Sequence, residues 1–179
     1  MKKKLLAIFL LVSSLAFSTE RILSYEETFL DEKTGKVHAK GEQTPYTGVI
    51  KNFKIPGEDG VFDGKISFKD GVIDGLVELY YPNEKLAKMA TFKDGETNGI
   101  EKTYYENGQI EMESLAKNNK KNGIGRFYSI TGVLIAEIPF KDDEVDGTIK
   151  TYNEVTGKLE TEGEFKNGKA EGTTKEYYP

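Results

Sequence analysis

With 179 residues, a formal net charge of −5 and no cysteine, the chain has the length of one domain and cannot form a disulfide, a cysteine nucleophile or a thiolate metal site. Its 30 Asp and Glu outnumber its 25 Lys and Arg, a balance that repels phosphate backbones and anionic headgroups and argues against nucleic acid or strong anionic-membrane binding. The single histidine, His38, leaves no pair of imidazoles for a metal, and a serine triad would have to be built around it.

The chain opens with Lys2, Lys3 and Lys4, then an apolar run from Leu5 to Phe17, with Ala16-Phe17-Ser18 placing small residues where a signal peptidase reads them. Residues 1–18 are therefore predicted to be a cleaved leader. The apolar run is too short to span a bilayer, which needs about 20 residues. The mature protein is expected to be exported, to the periplasm, the outer membrane or outside the cell, and losing three lysines makes it more acidic still.

Residues 19–47 share no pattern with the rest of the chain and form a lead-in. Glu27-Thr28-Phe29-Leu30 and Lys36-Val37-His38-Ala39 flank the turn signal Asp31-Glu32-Lys33-Thr34-Gly35, which predicts a hairpin that caps the array. From residue 48 to 179 one short sentence is then repeated. Copies start at Gly75, Gly99, Gly123 and Gly147, spaced 24 residues apart, with a partial copy at Gly172 after 25 and a longer one at Gly48, 27 residues before Gly75. In the longer copy Ile55-Pro56-Gly57-Glu58-Asp59-Gly60 is expected to replace a tight turn.

Each copy reads glycine, four residues, then an aromatic: Phe53, Tyr80, Tyr104, Tyr128, Tyr152 and Tyr177. A turn comes next, then a strand-like run closing in Phe68-Lys69-Asp70-Gly71 or its equivalents. Arms such as Leu76 to Tyr81 and Leu86 to Lys93, or Ile100 to Tyr105 and Ile110 to Lys117, predict a two-stranded hairpin per copy, with the glycines at the turns. A fixed period of this length marks an array whose units stabilise one another. The fold class is thus all-β: an elongated, single-layer antiparallel meander of hairpin repeats, about eleven strands and on the order of 50 Å long.

Side chains alternate along a strand, so positions one, three and five after each glycine share a face. Position three is charged in every copy: Lys51, Glu78, Lys102, Arg126, Lys150 and Lys175. Stacked aromatics with lysine stems across them account for the row, and a cationic ladder that binds a ligand is the rival reading. The opposite face varies between copies, with Tyr81, Tyr105 and Phe127 on it, and is read as the side that meets solvent or a partner. The unfinished strand with Thr174, Tyr177 and Tyr178 offers an edge for β-augmentation. The candidate partner-binding residues are these six. Gly48, Gly75, Gly99, Gly123, Gly147, Gly172 and Tyr80, Tyr104, Tyr128, Tyr152 are read as structural.

Gly-x-x-x-x-Tyr, a turn with Asn107-Gly108, and Phe-Lys-Asp-Gly before the next glycine resemble the MORN repeat in its variant bacterial class, over Tyr46 to the C-terminus. The resemblance implies a non-enzymatic scaffold or binding surface without cofactor. Some bacterial relatives carry antitoxin labels, some exported ones accompany adhesins, and other MORN arrays have been linked to membranes and self-association. A protein partner or self-association is therefore expected, as a binding module at the envelope or as a structural scaffold there. The antitoxin role would need a cytoplasmic toxin, against which the leader argues. Asp142-Asp143-Glu144-Val145-Asp146-Gly147 starts like a calcium loop, but position 12 is Asn153 instead of the bidentate glutamate, so calcium is not expected. Paired carboxylates for glycosidase work need a cleft, and a single-layer sheet offers few.

Overall fold

The computed structural model describes residues 20–57 and 60–178; the expected leader lies outside them. Strand β1 (Ile22–Ser24) leads through a short 3-10 turn into the hairpin β2 (Thr28–Asp31) and β3 (Lys36–Ala39). The repeats are built from β4 (Gly48–Gly57), β5 (Gly60–Lys69), β6 (Val72–Tyr80), β7 (Leu86–Lys93), β8 (Glu96–Tyr104), β9 (Ile110–Lys117) and β10 (Lys120–Tyr128). The remainder are β11 (Leu134–Lys141), β12 (Glu144–Val145), β13 (Gly147–Tyr152), β14 (Leu159–Lys166) and β15 (Lys169–Glu176). From β4 onward the strands pair antiparallel in chain order in a single open sheet, the two-residue β12 pairing only β11, so the all-β meander of consecutive hairpins is the observed architecture.

Two kinds of turn alternate. Between repeats the turns are two residues long, as in Asp70-Gly71, Asp94-Gly95, Asn118-Asn119, Asp142-Asp143 and Asn167-Gly168, with positive φ at both positions. That is the twist-matched hairpin turn that selects Asn, Asp and Gly. The acidic start of the calcium-like loop is such a turn. Asp143 Oδ1 accepts the Lys121 N–H at 2.7 Å and Asp146 Oδ1 accepts Lys166 Nζ at 3.0 Å. Successive turns are stitched by backbone bonds: Gly95 N–H to Ile73 O, Asn119 to Thr97, Asp143 to Lys121 and Gly168 to Val145, at 2.8–3.1 Å.

The repeat glycines do not stand at turns. β6, β8 and β10 each begin three residues before the glycine, so it lies inside the strand, at a bulge. Opposite Ile66 and Phe68 stand Val77 and Ile73, which leaves Asp74, Gly75 and Leu76 against a single Ser67. The same offset recurs at Gly99, where Ala90 and Phe92 face Glu101 and Thr97. There φ is +137° and an added Cβ would lie 2.9 Å from the Thr91 Cβ, so backbone conformation and close approach both demand glycine. In a sequence pattern a bulge looks like a break in a strand, which is why the predicted arms start after the glycine and the observed strands before it. In the first copy residues 55–57 and 60 of the expected loop instead continue β4 and β5, paired as far as Gly57 and Gly60, while Glu58 and Asp59 lie outside the described residues.

Packing is thickest at the N-terminal end. Ala39, Tyr46, Ile50, Ile66 and Phe68 are buried, with Leu23, Val37, Phe53, Ile73 and Val77 against them. The lead-in contributes twice. Hairpin β2–β3 docks on the first inter-repeat turn through Val37 N–H to Gly71 O at 2.9 Å, and Gly71 N–H to Tyr46 O at 2.8 Å ties the end of the lead-in to the same turn. Strand β1, for which the sequence pattern carries no signal, pairs parallel with β4 and occupies the sheet edge that would otherwise be open.

Candidate binding surfaces

On the regular face the cation row is half of a larger pattern. Across the register, Lys65 faces Glu78, Met89 stands between Glu78 and Lys102, and then Lys102, Glu113, Arg126, Glu137, Lys150, Glu162 and Lys175 succeed one another, one per strand. Charges thus alternate in sign, broken once at Met89. Ion pairs join Lys65 to Glu78 and Lys102 to Glu113 at 3.0 Å, Arg126 to Glu137 at 3.1 Å and to Glu113 at 3.8 Å, and Lys150 to Glu162 at 3.7 Å. The position-five tyrosines complete it: Tyr128 donates to Glu113 at 3.0 Å, and Tyr152 to Glu137 and Tyr177 to Glu162 at 2.8 Å each. In Tyr104 the same hydroxyl meets Met89 Sδ at 3.3 Å. A cationic ladder is therefore not what this face offers, because each of these repeats supplies its own acid. Glu113, Glu137 and Glu162 recur at the repeat spacing in the second arms, a signal available in the sequence.

The network fixes a pH dependence. The Lys102 hydrogen bond, aided by the Tyr128 hydroxyl and the Lys102 and Arg126 charges, holds the Glu113 carboxyl below its ordinary pKa. A depressed carboxyl adds stability above its unfolded pKa that is lost as pH falls through the folded one. Burial, and then the bond to a glutamate, pushes the Tyr128 and Tyr152 phenols up; for Tyr177 the bond to Glu162 comes first. Their contribution is complete below the ordinary phenol range and lost as pH rises through the raised values. Melting temperature against pH should fall on both flanks. Glu113→Gln should lower the plateau and flatten the acid flank, and an acid flank unchanged in that variant would refute the assignment.

On the opposite face lie Tyr81, Tyr105 and Phe127, all half-buried. Tyr81 donates its hydroxyl to the Tyr104 carbonyl at 2.6 Å and Tyr105 to that of Tyr128 at 2.8 Å, each tying its turn to the next repeat. Asn107 Nδ2 adds a bond to Ile130 O at 2.8 Å. Where Ser129 replaces the second tyrosine its hydroxyl turns inward, 2.7 Å from Thr131 Oγ1, and this stitch ends. The sequence reads the varying face as the side that meets solvent or a partner; Ile50, Ile66, Phe68, Ala90, Ser114 and Ala116, all buried, belong to it, so much of it is not open to solvent. Small residues there let neighbouring side chains close over the backbone. Thr174 and Tyr177 lie on or beside β15, and Tyr178 just beyond it is 85% exposed.

The more open apolar surface is on the charged face. Ile100, Leu115 and Ile124 are 46%, 50% and 48% exposed, and with Lys102, Glu113 and Arg126 they line a shallow depression of about 370 Å³. His38 is buried against Phe29, ring centroids 5.4 Å apart, with neither ring nitrogen hydrogen-bonded, so it activates no serine in this arrangement. Among the described residues no three His, Asp or Glu side chains are grouped to hold a metal, and no helix is long and apolar enough to cross a membrane.

Stacked hairpins without an enclosing layer, tied to their neighbours by hydrogen bonds and with open faces, define a β-repeat array of the kind that works as a binding module. Residues 73–94 and 97–118 match the MORN repeat variant family, so residues 73–118 carry two tandem MORN repeats, the general use of which is binding rather than catalysis. No curated protein matches the chain.

Proposed function

We propose that this is an exported, non-enzymatic MORN-repeat protein that binds another protein at the cell envelope or outside the cell, through its charged face. The observation that carries the reading is the exposed cluster Ile100, Leu115 and Ile124, set among side chains whose charges are already paired. Apolar area rimmed by satisfied polar groups is what a protein partner can cover without stranding a charge. The lysine-rich apolar leader supports export, and the acidic surface favours a protein over nucleic acid.

Native protein from fractionated cells, analysed by intact mass and by crosslinking, tests both parts. The mature chain is expected to begin after Ser18, and Leu115→Glu, at a half-exposed site, should keep the fold and reduce the crosslinked partner about tenfold, the effect of about 1.4 kcal/mol. An N-terminus at Met1 in a cytosolic protein would refute the export. A crosslink pattern unchanged in the variant would refute the face.

A further inference from the structure

A binding site of a different kind lies at the far end of the sheet, and it comes from what each repeat puts opposite its own first strand. In the repeat at Gly147, β14 places Phe165 opposite the glycine and Glu162 opposite Lys150. In the repeat at Gly123, β11 places Phe140 opposite the glycine and Glu137 opposite Arg126. The complementing strand therefore reads acid, two residues, phenylalanine in both. The acid continues the charge alternation, and the phenylalanine stands across from the repeat glycine. β15 repeats the receiving half, with Gly172 and Lys175 at the same separation. Its inner side is paired with β14, Glu162 opposite Lys175. Among the described residues no strand pairs with its outer side.

The backbone is set to receive a strand there. Tyr177 N–H donates inward to Glu160 O at 2.8 Å, and because successive residues of an antiparallel strand alternate, the N–H and C=O groups of Thr174 and Glu176 point outward. At the opposite sheet edge β1 covers β4, so the two ends are not equivalent. We propose that the outer edge of β15 is a strand-docking site for an extended segment of a partner protein with the pattern acid-x-x-aromatic, antiparallel, its carboxylate opposite Lys175 and its aromatic residue opposite Gly172. Main-chain bonds supply affinity in this mode and the two side-chain positions supply selectivity.

The probe is a synthetic peptide copying residues 158–167, which carries Glu162 and Phe165 and is the natural complement of the equivalent edge. Saturable binding to the full mature chain is expected by fluorescence anisotropy. Lys175→Glu should weaken it about tenfold, and a peptide with lysine at the Glu162 position should recover that loss on the Lys175→Glu protein alone. Thr174→Pro, checked by circular dichroism for a folded array, should abolish binding. A photoreactive phenylalanine at the Phe165 position should crosslink beside Gly172. No saturable binding, equal affinity of all charge combinations, or a stable dimer of this chain that the peptide fails to displace would each overturn the proposal. Leu115→Glu should leave peptide binding unchanged, so the edge and the charged face fail or stand separately.

Discussion

Ile50→Ala is expected to cost about 2–5 kcal/mol, the range for deleting a fully buried isoleucine side chain down to Cβ. Ile50 is 0% exposed and sits in the densest cluster of the chain, with Tyr46, Ile66 and Phe68 around it. Elsewhere the sheet is a single layer whose strands are mostly half-buried, so little other packing compensates. Array stability is close to a sum of units and nearest-neighbour interfaces. Hydrogen exchange should therefore lose protection first in β4, β5 and β6, less in β7 and β8, and least in β13 to β15. Ile124→Ala, at a site nearly half exposed, is the comparison and should cost under about 1.5 kcal/mol. Equal destabilisation by both, or uniform loss along the sheet, would show that the end cluster does not anchor the array.

The second arms were the most legible part of the sequence. Leu86 to Lys93 and Ile110 to Lys117 begin and end as β7 and β9 do, because turn-forming residues bound them on both sides. Turn residues also marked the between-repeat hairpins, whose positive φ at both central positions requires Asp, Asn or Gly. Glycine misled where its role was a bulge, since a residue that permits a turn also permits three residues to oppose one. The charged face was half seen. Reading one arm of each hairpin revealed Lys102, Arg126 and Lys150, whereas the meaning of those charges lies in Glu113, Glu137 and Glu162 on the next strand, a relation set by register and not by local pattern. Strand β1 left no signal because three residues in parallel pairing have no turn beside them to announce it.

Gly48→Ala should detach that strand. Gly48 opens β4 at φ +145°, and a Cβ built there would lie 2.3 Å from the Arg21 carbonyl oxygen and 2.6 Å from Tyr46 Oη. The Arg21 oxygen cannot retreat without loss: it accepts the Val49 N–H at 2.8 Å, which ties the start of β1 to β4, and the Tyr46 hydroxyl at 2.8 Å. Tyr46 is itself buried, so its ring cannot swing into solvent to make room. Gly172→Ala is the control, for φ there is +78° and nothing lies within 4 Å, so it carries the backbone strain without the collision. Strain alone amounts to about 1–2 kcal/mol. The Gly48 variant should exceed that by about 1–3 kcal/mol, as overpacking does, and should lose exchange protection at the Val49 amide while β8 to β11 keep theirs. With the edge of β4 bared, it should also self-associate at concentrations where the parent and the Gly172 variant stay monodisperse. A Gly48→Ala protein as stable as Gly172→Ala, with Val49 still protected, would mean that the collision at Gly48 does not dislodge β1 from the sheet edge.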